Sequence, residues 1–113
     1  MGIRYHIRLP DPARARDSGQ YAFRSSGAEG IAAELEQALR GDALFERWRS
    51  AQEDPDAVDP ALGATDPDAA VSGEQHDLHI DLTARTSLPG PVFKHRMRLL
   101  AGSAWEMRDV TAA

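Results

Sequence analysis

The run from Glu53 to Asp68 constrains the fold most: six acidic residues and three Asp-Pro pairs (Asp54-Pro55, Asp59-Pro60, Asp66-Pro67) separate two well-patterned halves. Each half is only about fifty residues, too short to bury an independent core without disulfides or a metal. The chain has no cysteine, which removes disulfides, thiolate metal sites and cysteine nucleophiles together. Both halves are therefore expected to build one α+β domain over residues 1–113, with an acidic Asp-Pro-rich loop at about 53–73. Prolines turn the residues before them away from helix, and only Val58, Leu62 and Val71 are sizeable apolar groups in this stretch, so a mobile loop is expected there.

On either side the periodicities are clear. Ile3, Tyr5, Ile7 and Leu9 alternate with Arg4, His6 and Arg8, a half-buried strand ended by Pro10. After a loop at 11–20, Tyr21 and Phe23 suggest a strand returning along the first. Ser26 and Glu29 have capping-box spacing, and Ile31, Leu35, Ala38 and Leu39 follow on one helical face up to Gly41. Asp42 opens a second helix with Leu44, Phe45 and Trp48 turned inward. Leu78, Ile80, Leu82 and Ala84 alternate with polar residues in a third strand. Val92–Leu100 fits a strand through Phe93, His95, Met97 and Leu99; as a helix it would carry Arg96 into the apolar arc. Trp105 and Met107 mark a last strand. The order is ββαα-loop-βββ: a mostly antiparallel five-stranded sheet with two helices on one face.

Little in this pattern carries chemistry. There is no nucleophile elbow, phosphate loop or zinc-helix motif, and no cofactor or catalytic residue is assigned. His76, Asp77, His79 and Asp81 are the densest set of metal-ligating types, but same-face strand neighbours lie roughly 7 Å apart, too far to close on one ion. They read as a solvated strand face, and His6 and His95 read as structural. No stretch approaches a membrane span, and the first residues lack the apolar core of a signal peptide, so a cytoplasmic protein without membrane contact is expected.

Charge distribution says more. The net charge of −5 disfavours unspecific binding to nucleic acid. The expected open sheet face nevertheless collects Arg4, Arg8, Arg24, Arg85, Lys94, Arg96, Arg98 and Arg108 against Asp77, Asp81 and Glu106. A basic face of that kind suits a non-catalytic interaction module, such as an adaptor, secretion chaperone-like or immunity-type binder, with Arg4, Arg8, Lys94, Arg96 and Arg98 anchoring an unknown protein partner. Nucleic acid is the alternative, weakened because the aromatic residues fall on the buried face. A small hydrolase or metal-dependent enzyme is a weaker reading. Sheet edges offer a route to a homodimer, and the acidic loop is long enough to fold over the basic face.

Overall fold

The computed structural model describes residues 2–113. Alternation in Ile3–Leu9 produces strand β1, with Tyr5, Ile7 and Leu9 buried beneath it and Arg4, His6 and Arg8 on its other side. A short helix α1 (Pro12–Arg16) follows, started by Asp11, whose side chain accepts from the Arg14 N–H. Helix α2 (Ala28–Arg40) buries Ile31, Ala32, Leu35, Ala38 and Leu39, the face its spacing predicts. The capping box does not form: Gly27 is the N-cap, with no side-chain bond. Helix α3 (Ala43–Ser50) buries Phe45, and two single-turn 3-10 helices, Pro55–Ala57 and Pro60–Gly63, run through the acidic segment.

The second half supplies β2 (Ala70–His76), β3 (His79–Thr86), α4 (Gly90–Ala101) and β4 (Glu106–Ala112). The sheet order is β2-β3-β1-β4, and every neighbouring pair is antiparallel. Strands β1 and β2 both oppose β3, so they run parallel with β3 between them; β3 and β4 stand in the same relation across β1. With α2 and α4 as the crossovers, this is the split β-α-β connectivity of ferredoxin-like domains, extended by α1 and α3.

Both crossover helices pack on one face. Tyr5 on β1 stacks on Phe93 of α4 with ring centroids 4.1 Å apart, and its hydroxyl donates to the Leu88 carbonyl at 2.7 Å. One core cluster joins residues of both halves, among them Ile7, Leu35, Leu39, Ile80, Leu82, Phe93 and Met97. Burying side chains of this size stabilises by about 1.5–3 kcal/mol each, so each half depends on the other.

The α+β class holds, but among the described residues the sheet has four strands rather than five and there are four α-helices rather than two. Tyr21 and Phe23 lie in coil because β1 already has β3 and β4 on its two edges. Phe23 instead donates its N–H to the Leu100 carbonyl at the end of α4, at 2.9 Å. Strand β2 lies partly within the stretch expected to be loop. It is an edge strand with little apolar content, and α2 crosses it so closely that a Cβ at Gly73 would stand 2.6 Å from the Ala28 carbonyl oxygen. Leu78 is not core: it sits in the two-residue turn between β2 and β3, 82% exposed, beside Asp77 at φ 55°.

The stretch 92–100 is helical. Pro91 in the first turn suits a helix start, and Val92, Phe93, Arg96, Met97 and Leu100 form one buried stripe. Arg96 is tolerated there because its guanidinium finds three carbonyls: Nε donates to Ala38 at 3.0 Å, Nη2 to Ala64 at 2.7 Å, and Nη1 to Leu62.

Candidate functional site

Among the described residues no layer covers the sheet face turned away from the helices. Register places Arg4, His6 and Arg8 of β1 across from Arg85, Thr83 and Asp81 of β3, and these in turn across from Ala70, Ser72 and Glu74 of β2. On the other side β4 contributes Thr111, Asp109 and Glu106. The register of β4 slips between His6 and Ile7, so Arg108 is an extra residue there. That bulge turns Arg108 over the same face, where it helps line a cleft of about 260 Å³ with His6, Arg8, Ser72, Glu74, Asp81 and Thr83.

At the hairpin end of this face the charges are paired. Arg8 grips Asp81 through Nε–Oδ1 at 2.9 Å and Nη2–Oδ2 at 3.4 Å. The Arg8 guanidinium holds the Asp81 carboxyl below the usual carboxylate range, helped by His79 and His76. His76 Nε2 lies 3.1 Å from Glu74 and 3.6 Å from Asp81 Oδ2, and His79 Nε2 is also 3.6 Å from that oxygen. Asp77 leaves the group, since it occupies the turn. Among the described residues no three His, Asp or Glu side chains are arranged to hold a metal ion. Polar side chains here are satisfied by one another, which is ordinary cross-strand chemistry.

The other end differs. Arg4 and Arg85 are direct cross-strand partners, and neither belongs to any ion pair among the described residues. They line a hollow of about 230 Å³ with Ala70, Val71, Ser72 and Thr83. Like charges placed directly opposite destabilise a sheet by up to about 1 kcal/mol.

The five residues expected to share one basic face are therefore divided. Arg4 and Arg8 are on the open face. Lys94 and Arg98 are exposed on α4, in the layer on the far side of the sheet, and Arg96 is buried at 0% exposure beneath it. The physical reason is the helical state of 92–100, which takes all three off the sheet. With them gone, Arg4, Arg8, Arg85 and Arg108 balance Glu74, Asp81, Glu106 and Asp109, so the face is neutral overall and polarised along the strands rather than basic. Arg85 and Arg108, and not the three residues of α4, share the open face with Arg4 and Arg8. Alternation in β3 and in the last strand puts both Arg85 and Arg108 on that face from the sequence, although the bulge at Arg108 has no local signal.

The acidic segment does not cover this face. Asp66 accepts from the Thr86 hydroxyl at 2.7 Å and the Ser87 N–H at 2.9 Å, bonds that hold its carboxyl below the usual range. Arg96 holds the Leu62 and Ala64 carbonyls, Arg49 reaches Pro55, and Gly63 lies against the Phe45 ring. Those contacts fasten the segment to the helix layer and to the end of β3. His95 packs there too, edge-on to Trp48 with centroids 4.4 Å apart, and burial, then Arg96 and Arg98, push its pKa down.

A hollow of about 570 Å³ lies between the 20–25 segment, α2 and α3. Ala22, Ala33, Ala38, Leu44 and Leu100 give it an apolar floor, and its Glu34 carboxylate is already engaged by the Arg24 and Ser25 N–H groups. No helix of the described residues is long and apolar enough to cross a membrane. Compared with known protein families, curated proteins and solved structures, the chain matches none.

Proposed function

We propose that this is a non-catalytic, cytoplasmic protein-binding module that presents the open face of its sheet to a partner, with Arg4, Arg85 and Arg8 as anchors. The observation that carries this reading is the uncovered face itself, on which Arg4 opposes Arg85 with no acid within ion-pair distance of either among the described residues. A partner carboxylate or other anion would relieve that repulsion, so binding and the local cost in stability are linked.

Nucleic acid fits less well. Open four-stranded sheets read single strands by stacking bases on aromatic side chains, and the central strands here offer Arg4, His6, Arg8, Asp81, Thr83 and Arg85 instead. Tyr5 and Phe93 are stacked on each other in the core. Self-association through β4 is opposed by the bulge at Arg108 and by Glu106 and Asp109, features that protect edge strands.

Affinity capture at low salt tests the reading with three baits: wild type, Arg4→Ser/Arg85→Ser, and Lys94→Ser/Arg98→Ser. One protein, resistant to nuclease treatment, should be held by the first and third baits and lost from the second. Equal retention by all three, or loss only from the α4 variant, contradicts the assignment to the sheet face.

A further inference from the structure

We infer that the Arg4/Arg85 end of the open face is a receptor for a phosphomonoester, so that the partner is recognised through a phosphorylated side chain. This rests on the reading of the open face as the binding surface and adds the chemistry of the group bound.

The two arginines stand directly opposite on neighbouring antiparallel strands, a register that puts their Cβ atoms about 5 Å apart and lets both forks converge on one object. The carboxylates best placed to neutralise them are occupied. Asp81 is gripped by Arg8, and Asp109 accepts from the Val110 N–H at 2.9 Å. Asp68 shares a neighbouring hollow with Arg85, yet no carboxylate comes within ion-pair distance of either guanidinium among the described residues. Ser72 and Thr83 line the same hollow and add hydroxyl donors.

That set of donors selects among anions. A carboxylate offers two oxygens and one charge, which a single guanidinium fork satisfies. A phosphodiester has two free oxygens and one charge. A phosphomonoester carries about −1.5 to −2 charges and three terminal oxygens, each able to accept more than one hydrogen bond, so both forks and a hydroxyl can share it. The inferred role is binding of the group alone, with no transfer step.

The test is a titration of the 15N-labelled protein with inorganic phosphate, phosphoserine, acetate and dimethyl phosphate, read at the arginine side-chain N–H groups and at the amides of β1 and β3. Phosphate and phosphoserine should give saturable shifts centred on Arg4 and Arg85, at least about tenfold tighter than acetate or dimethyl phosphate. Arg4→Ser/Arg85→Ser, checked for an unchanged fold by its remaining spectrum, should lose them; Lys94→Ser/Arg98→Ser should keep them. Equal weak shifts for all four anions, or shifts that survive in the Arg4/Arg85 variant, overturn the proposal. Phosphatase treatment of a captured partner separates the two readings. Release supports the phosphomonoester site, whereas a partner still held through Arg4 and Arg85 after dephosphorylation leaves the binding module standing and removes the phosphate.

Discussion

Arg96 on α4 donates to the Ala64 carbonyl at 2.7 Å, and this bond fastens the acidic segment to the helix layer. The same guanidinium serves Ala38 near the end of α2 and lies 5.4 Å from the centre of the Phe45 ring. Truncation to Ala leaves three carbonyls without donors and a void among packed rings. The expected loss is about 3–5 kcal/mol, seen as a lower urea midpoint. Arg96→Lys, which keeps the charge and not the fork, should fall between. A wild-type midpoint for the Ala variant would show that these bonds contribute nothing.

Gly73 is needed for the crossing of α2 over β2. Gly73→Ala should lower stability by about 1–3 kcal/mol, because its new methyl meets the Ala28 carbonyl and not a side chain that can swing away. Gly90→Ala meets nothing within 4 Å and should be close to neutral. Equal midpoints for the two variants would mean that the crossing relaxes freely.

Stability should fall with acid in two stages. Burial, with Arg96 and Arg98, holds His95 below its ordinary 6.5, so the unfolded chain takes up that proton first. The contribution is complete above about pH 6.5 and declines as pH drops through that value. Asp66 and Asp81 are held below 3.8 by their bonds to Ser87 and Arg8; their contributions persist above that pH and are lost only below it. Urea midpoints from pH 8 down to pH 5 should slope in wild type and flatten in His95→Phe, which keeps an aromatic ring beside Trp48. An identical slope in both would assign the first stage to another group.

Arg8 and Asp81 are each about one-third exposed in their side chains, at 33% and 32%. A double-mutant cycle on Arg8→Ala and Asp81→Ala should therefore return a coupling of no more than about 1 kcal/mol, shrinking in high salt. A coupling well above that would mark the pair as a buried lock and not a surface clasp.

The pattern of single residues explains what was legible in the sequence. Strands β1 and β3 and helix α2 each have one face buried and the other solvated, so Tyr5, Ile7, Leu35, Leu39, Ile80 and Leu82 announce their positions by period alone. Where an element breaks that rule, tertiary partners decide. Arg96 argues against a helix until the carbonyls of residues 38, 62 and 64 are brought to it, and those lie up to 58 positions away. Strand β2 has almost no apolar signal because it is held by backbone pairing and by Glu36 and Arg40 of α2, which bond Val71 N–H and Ala69 C=O. Leu78 keeps the alternation of β3 but falls one step beyond its end, in the turn. The helical state of 92–100 likewise takes Lys94, Arg96 and Arg98 off the face that Arg4 and Arg8 share with Arg85.

The absence of cysteine permits a direct test of which surface binds. Single-cysteine variants Thr83→Cys, on the open face, and Lys94→Cys, on α4, can be labelled with a thiol reagent with and without the captured partner. Slower labelling at position 83 with an unchanged rate at 94 is the predicted result. Protection at 94 and none at 83 would contradict the account.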